Sequence, residues 1–192
     1  MEMLLSGLVV FLGMHSVRIF AENWRGHMRE MVGENAFKAA YSVVSLIGFG
    51  LVVWGFGIAR EQPVLLWSPP VGMRHAASLL TLLSFVLLAA AYVPGNVFKA
   101  RMGHPMVLAV KVWALAHLLA NGMHAHVVLF GSFLIWSVLC FRAARQRDRA
   151  SGVVYPVATS RGTAVTVAVG VVAWAVFAWV LHGWLIGIKP FG

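Results

Sequence analysis

A chain of 192 residues with 60% hydrophobic and only 11% charged side chains, at a mean hydropathy of +0.83, is far from a soluble domain, in which about 25% of residues are charged. Fifteen basic against six acidic residues give a net charge of +9, but the way the charges are spread points to membrane topology and not to nucleic acid. Cys140 is the only cysteine, which excludes an intrachain disulfide and the paired cysteines of c-type haem attachment; it reads as a small buried residue.

Six apolar runs follow one another at 3–21, 36–59, 75–93, 105–121, 123–141 and 162–186, each near the ~17–25 residues that carry a helix across ~30 Å of hydrocarbon. The expected fold is all-α: an integral membrane six-helix bundle in which residues 1–192 form a single domain. The first run contains "FLGMHSVRIF", with His15 and Arg18 one turn apart, although an intramembrane Arg costs roughly 2.5–3.5 kcal/mol. It follows "MEML", which has no basic n-region, and the arginines come after it, so helix 1 is expected to be retained. "ENWRGHMREMVGENAFK" reads as an interfacial segment forming a short amphipathic helix, and 60–74, with three prolines and Trp67, as an extended outer loop. "PGN" at 94–96 is a turn. "GHPM" then starts the fourth helix, with His104 at its cap and Pro105 at its first position. This fourth run is the weakest, being short and interrupted by Lys111. "NGMHA" closes a helical hairpin, and 142–161, with five arginines, reads as a polar loop.

If odd-numbered loops are cytoplasmic, that side holds 12 of the 15 basic residues and only Arg60, Arg74 and Lys189 lie opposite. The positive-inside bias therefore expects both termini on the outer, periplasmic side. Anionic lipid headgroups are the expected counter-charge, and a bacterial inner membrane the location.

The six acids, Glu2, Glu22, Glu30, Glu34, Glu61 and Asp148, all read as lying in or beside loops. No carboxylate pair or Ser–His–acid triad is therefore expected, and no phosphate-binding glycine motif is present. The eight histidines remain. His15 and His117 lie well inside helices, and a neutral imidazole withdrawn from water needs a hydrogen-bond partner or a metal. Two such rings on different helices can hold haem b, whose carboxylates would want Arg18 and, as a second partner, Lys111. The alternative is that His15 bonds a neighbouring helix while Arg18 and Lys111 snorkel to headgroups. "HAH" at 124–126 is a weaker metal candidate.

"FLGMHSVRIF", "GENAFKAAYSVVSLIGFGLVVWGFGIAR", "AAYVPGN", "GHPMVLAVKVWALAHLLANG" and "LHGWLIGI" resemble the bacterial NnrU family across nearly the whole chain. That family is related to 15-cis-zeta-carotene isomerase, an integral membrane haem b protein. In that isomerase the His of an early His-Ser pair and the His of an Ala-His pair, 13 residues after a His-Pro, are implicated as haem ligands. The matching positions are His15 and His117, the latter 13 residues after His104. The resemblance thus implies non-covalent, bis-His haem b. The chain departs from the plant isomerase at Gly103 and Met106, where that protein has Arg and Gln. Measured along the helices, His15 lies about 9 Å from residue 21 and His117 about 18 Å from Pro105. A tilt would reconcile the depths; otherwise His75, His104 or His124 competes for the iron.

The resemblance implies a redox-controlled, haem-dependent cis–trans isomerase of a lipophilic isoprenoid. Its alternative is a haem b electron-transfer or nitric-oxide-responsive protein, or an assembly factor, tied to nitrite and nitric oxide reduction in denitrification. A membrane methyltransferase would show R-H-P-x-Y, which Gly103 and Met106 break.

Overall fold

The computed structural model describes residues 1–191, and it is helical wherever a long apolar run occurs. The helices are α1 (Glu2–Phe20), α2 (Glu22–Val32), α3 (Glu34–Glu61), α4 (Gly72–Tyr92), α5 (Val97–Met102), α6 (Pro105–Ala120), α7 (His124–Ala150) and α8 (Ser160–Val176). A π-helical turn, Phe177–Leu181, continues α8 into α9 (His182–Ile186). By length and composition α1, α3, α4, α7 and the rod Ser160–Ile186 can each cross a membrane. At 16 residues α6 is equally apolar but shorter. Large apolar side chains stand in the open around the bundle, among them Val9 (73% exposed), Leu79 (68%) and Trp184 (79%). Such a coat suits hydrocarbon and would be an aggregation hazard in water.

The long helices pack in the order α3, α1, α7, α6, α4, α8, so that α7 stands between the backbones of α1 and α6. Glycine decides how closely α1 meets α3. A Cβ at Gly7 would lie 2.5 Å from the Val52 nitrogen, one at Gly48 2.7 Å from the Phe11 nitrogen, and one at Gly55 2.7 Å from the Leu4 Cα. Side-chain-free contact of this kind is how helices associate where lipid tails remove the hydrophobic drive.

One connection agrees with expectation and two differ. The segment after helix 1 is helical, as expected, and none of its side chains is buried. Arg25 pairs with Glu22 (3.2 Å), while Arg29 (3.2 Å) and Lys38 (2.6 Å) converge on Glu34, as an interfacial helix requires. Past the expected turn the chain makes an extra short helix, α5, because buried Asn96 accepts from the Lys99 N–H (2.8 Å) and donates to the Ala90 and Val93 carbonyls (3.0 and 2.6 Å). Most consequentially, the Arg-rich stretch 142–150 is no loop: α7 runs through it to Ala150. Lys and Arg are good helix formers, and the apolar α7 supplies the nucleus that a short polar helix lacks. The proline loop is extended as expected. It is tied to the α6–α7 turn by Leu66 and Trp67 N–H to the Gly122 carbonyl (2.8 and 3.3 Å) and by His124 N–H to Val64 (2.8 Å).

Candidate functional site

Both intrahelical histidines make the same local bond. The His15 Nδ1 lies 2.7 Å from the Phe11 carbonyl, and the His117 Nδ1 2.8 Å from the Trp113 carbonyl, each one turn back along its own helix. A carbonyl oxygen can only accept, so each Nδ1 carries the proton and each Nε2 keeps its lone pair. Neither Nε2 has a hydrogen-bond partner among the described residues. An Nδ1–H held by a backbone carbonyl, with Nε2 left free, is the arrangement in which a histidine presents itself to a metal.

Aromatic rings surround the two imidazoles. His15 packs on Phe11 (4.3 Å between centroids), Tyr41 (5.3 Å) and Trp136 (6.1 Å). His117 stacks on Phe130 (4.5 Å) and leans on Trp113 (5.1 Å). The rings themselves do not meet. Phe133 of α7 lies between their neighbourhoods, 5.9 Å from Phe11 and 5.6 Å from Trp113. Phe130 and Trp136 are six residues apart on α7, so the two histidines contact that helix at levels about 9 Å apart. The depth difference anticipated from the helix lengths is thus kept. Each imidazole is a neutral nitrogen donor able to take a metal, and Phe133 fills the space between the two neighbourhoods.

Arg18 is exposed, its Nε 3.7 Å from a Glu22 carboxylate oxygen, and its carbonyl accepts from Arg147 Nη1 (2.9 Å). Lys111 is half-buried on α6, about 120° round that helix from His117. His75 is exposed. His124 and His126 line a cavity of ≈ 1030 Å³ at one end of the bundle with Arg60 and Met1, but residues two apart on a helix point about 200° away from each other. Among the described residues no three His, Cys, Asp or Glu side chains gather as a metal site.

A second cluster went unread in the sequence. Because α7 continues as a helix, Asp148 comes under the α5–α6 turn instead of sitting in a loop. There it accepts from His104 Nε2 (2.8 Å) and from the Tyr155 hydroxyl, with Arg145 Nη1 3.7 Å away. The side chain of His104 therefore bonds Asp148 and does not cap α6, although His104 is the residue at the cap position. Gly103 belongs to the same cluster: it has φ +76°, and a Cβ on it would lie 2.7 Å from the Tyr155 ring. Only the His-Pro pair flagged this site; the acid lies 44 residues further on, beyond any local pattern. Burial, and then the bond to Asp148, raise the Tyr155 phenol above its ordinary value of 10.0. A pKa raised by folding contributes stability in full below pH ~10, and that contribution is lost as the pH rises through the folded value. Tyr155→Phe and Asp148→Asn are expected to free residues 151–159, with severalfold faster tryptic cleavage at Arg149 in detergent. Wild type should show the same acceleration only above pH ~10. Equal cleavage of all three proteins at pH 8 would deny the cluster that role.

No curated protein and no solved structure is significantly similar to the chain. Residues 3–190 match the family model described as NnrU protein. With the match covering nearly its whole length, the chain belongs to the NnrU family.

Proposed function

We propose that the protein is a b-type haem protein of the bacterial inner membrane, in which His15 and His117 would hold the iron. The observation that carries this reading is the common hydrogen-bond pattern of the two histidines, each holding a lone pair on Nε2 inside an apolar bundle. Haem b so ligated supplies one-electron exchange at its iron. The residues around it would have separate duties. Phe11 and Trp113 carbonyls fix the imidazole tautomers, the aromatic rings of α7 would keep water out, and Arg18, now beside Glu22, would be the cation available to a carboxylate of the group. Lys111, facing elsewhere on α6, is the weaker partner.

The test is an optical spectrum of detergent-purified protein from haem-replete cells. It should show about one extractable haem b per chain, six-coordinate and low-spin. Protein free of haem would overturn the reading in favour of an assembly factor. Loaded protein can then be given a cis-polyene, whose isomerisation would identify an isoprenoid isomerase, or nitric oxide, whose binding or turnover would place it in nitrogen-oxide metabolism.

The reading takes α6 as a sixth crossing, because a three-residue connection, 121–123, turns it straight back into α7. Reporter fusions should then place 22–35, 94–104 and 142–161 in the cytoplasm and both termini in the periplasm. A cytoplasmic C-terminus would refute the sixth crossing.

A further inference from the structure

His126 is bonded unlike His15 and His117, which each anchor Nδ1 on the carbonyl four residues back. For His126 that carbonyl belongs to Gly122, which precedes α7 and already accepts from the Leu66 and Trp67 N–H groups (2.8 and 3.3 Å). The His126 Nδ1 is consequently buried with no partner among the described residues. Nε2 is the ring nitrogen left open, on the cavity of ≈ 1030 Å³ that His126 lines. A buried N–H without an acceptor is rarer in folded proteins than a buried acceptor left short, so the proton sits on Nε2. His126 is thus the opposite tautomer to His15 and His117. It turns a donor toward the cavity and leaves no lone pair there for a metal.

A second donor stands beside it. Arg60, half-buried at the end of α3, lines the same cavity. Its guanidinium carbon lies 5.3 Å from the centre of the Phe56 ring, and the His126 ring meets that same Phe56 edge-on at 5.2 Å. The bonds Arg60 makes among the described residues are long, from Nη1 and Nη2 to the Ile186 carbonyl (3.3 and 3.4 Å), and a carbonyl carries no charge to match it. Glu61 also lines the cavity but is exposed, where its charge is screened. Much of the remaining wall is apolar, with Ile58, Val64, Ile186 and Ile188. At ≈ 1030 Å³ the space stands at the top of the roughly 300–1,000 Å³ of small-molecule sites.

We propose that this cavity binds a long-chain carboxylic acid, Arg60 holding the carboxylate through its planar fork and His126 Nε2–H donating to one oxygen. The ligand class follows from the lining. Two donors, one of them an uncompensated cation, call for a charged acceptor, and a carboxylate matches the guanidinium fork. The apolar wall calls for a chain behind that head. A neutral carbonyl would leave the charge of Arg60 unmatched. The inference stands apart from the haem reading and shares no residue with it.

Binding is measured in nanodiscs of zwitterionic lipid with cis-parinaric acid, a fluorescent long-chain acid, and with its methyl ester. Wild type should bind the acid saturably and the ester at least about tenfold more weakly. Arg60→Gln should weaken acid binding about 10- to 100-fold and close the gap to the ester. The His126 variants separate donation from packing. His126→Gln places an amide nitrogen where Nε2 was and should stay within about threefold of wild type, whereas His126→Asn reaches only as far as Nδ1 and should lose about tenfold. At Gly57, which lines the cavity, a Cβ meets nothing within 4 Å, so Gly57→Leu should fill the space and abolish binding while leaving both donors and the melting temperature intact. Equal affinity of wild type for acid and ester, unchanged acid binding in Arg60→Gln, or displacement of the acid by an equimolar anionic phospholipid would overturn the proposal. Should Arg60→Gln fail to accumulate once Ile186 is untethered, the two His126 variants and Gly57→Leu carry the comparison: equal acid binding by all three would overturn it as well.

Discussion

His117→Ala should reduce bound haem from about one per chain to nearly none, and His15→Ala should do the same or leave a high-spin, five-coordinate residue. Each substitution removes a neutral imidazole whose tautomer is already fixed by a carbonyl 2.7–2.8 Å away, so no reorganisation replaces the lost donor. Haem that binds only the folded chain also stabilises it, by about 2.7 kcal/mol at a hundredfold excess over Kd. The melting temperature of the purified protein should therefore fall with haem content, and the haem-free wild type should melt near the variants. His27→Ala, on the interfacial α2 where no side chain is buried, should leave both spectrum and melting unchanged. The separation of about 9 Å along α7 sharpens the comparison. If His117→Ala empties the protein while His15→Ala leaves a low-spin spectrum, the second ligand comes from elsewhere, with His124 or His75 the next to replace. If neither changes the spectrum, both assignments are wrong.

Gly55→Ala should damage the fold, and Gly57→Ala should strengthen it. A methyl at Gly55 would stand 2.7 Å from both the Leu4 Cα and the Met3 carbonyl carbon, and these are main-chain atoms that cannot rotate away. Overpacking of this sort costs typically about 1–3 kcal/mol, and here it forces α1 off α3 along the face on which His15 is carried. At Gly57 a methyl meets nothing within 4 Å, so alanine should gain the roughly 0.5–1 kcal/mol that mid-helix glycine forfeits. The pair Gly48 and Gly50 repeats the contrast one step earlier on the same helix, with contacts at 2.7 Å against open space. Thermal melting in detergent reads all four alanine variants. The expectation is two lowered and two unchanged or raised midpoints; a uniform response would show that α1 and α3 do not rely on this contact. A fall in haem occupancy in Gly55→Ala, with His15 intact, would link the helix spacing to the site.

The limits of sequence reading show at the same residues. "GFG" occurs twice in α3, at 48–50 and 55–57, and no composition rule distinguishes its first glycine from its second. Only the packing of α1 does. Similarly, the two histidines stood out because an imidazole inside an apolar run is costly without a partner, whereas Trp136 looked like an ordinary membrane-helix residue. That its indole nitrogen is buried without a partner is a property of the assembled bundle.

By itself the sequence determined the helices, because hydrocarbon demands that each crossing satisfy its own backbone hydrogen bonds within one continuous apolar segment. The six runs consequently reappear as rods with ends shifted by a few residues, and Pro105 sits at the first position of α6 as its fixed φ requires. The extent of α7 was decided otherwise. Its arginines read as a loop by polarity, yet they continue a helix already nucleated in the membrane, and that continuation brings Asp148 to His104. Which helices are neighbours, which glycines are contact points and which polar groups lack partners were settled by tertiary structure alone. These depend on pairwise distances between segments far apart in the chain, and such distances leave no local pattern in a sequence whose lipid-facing and helix-facing positions are alike apolar.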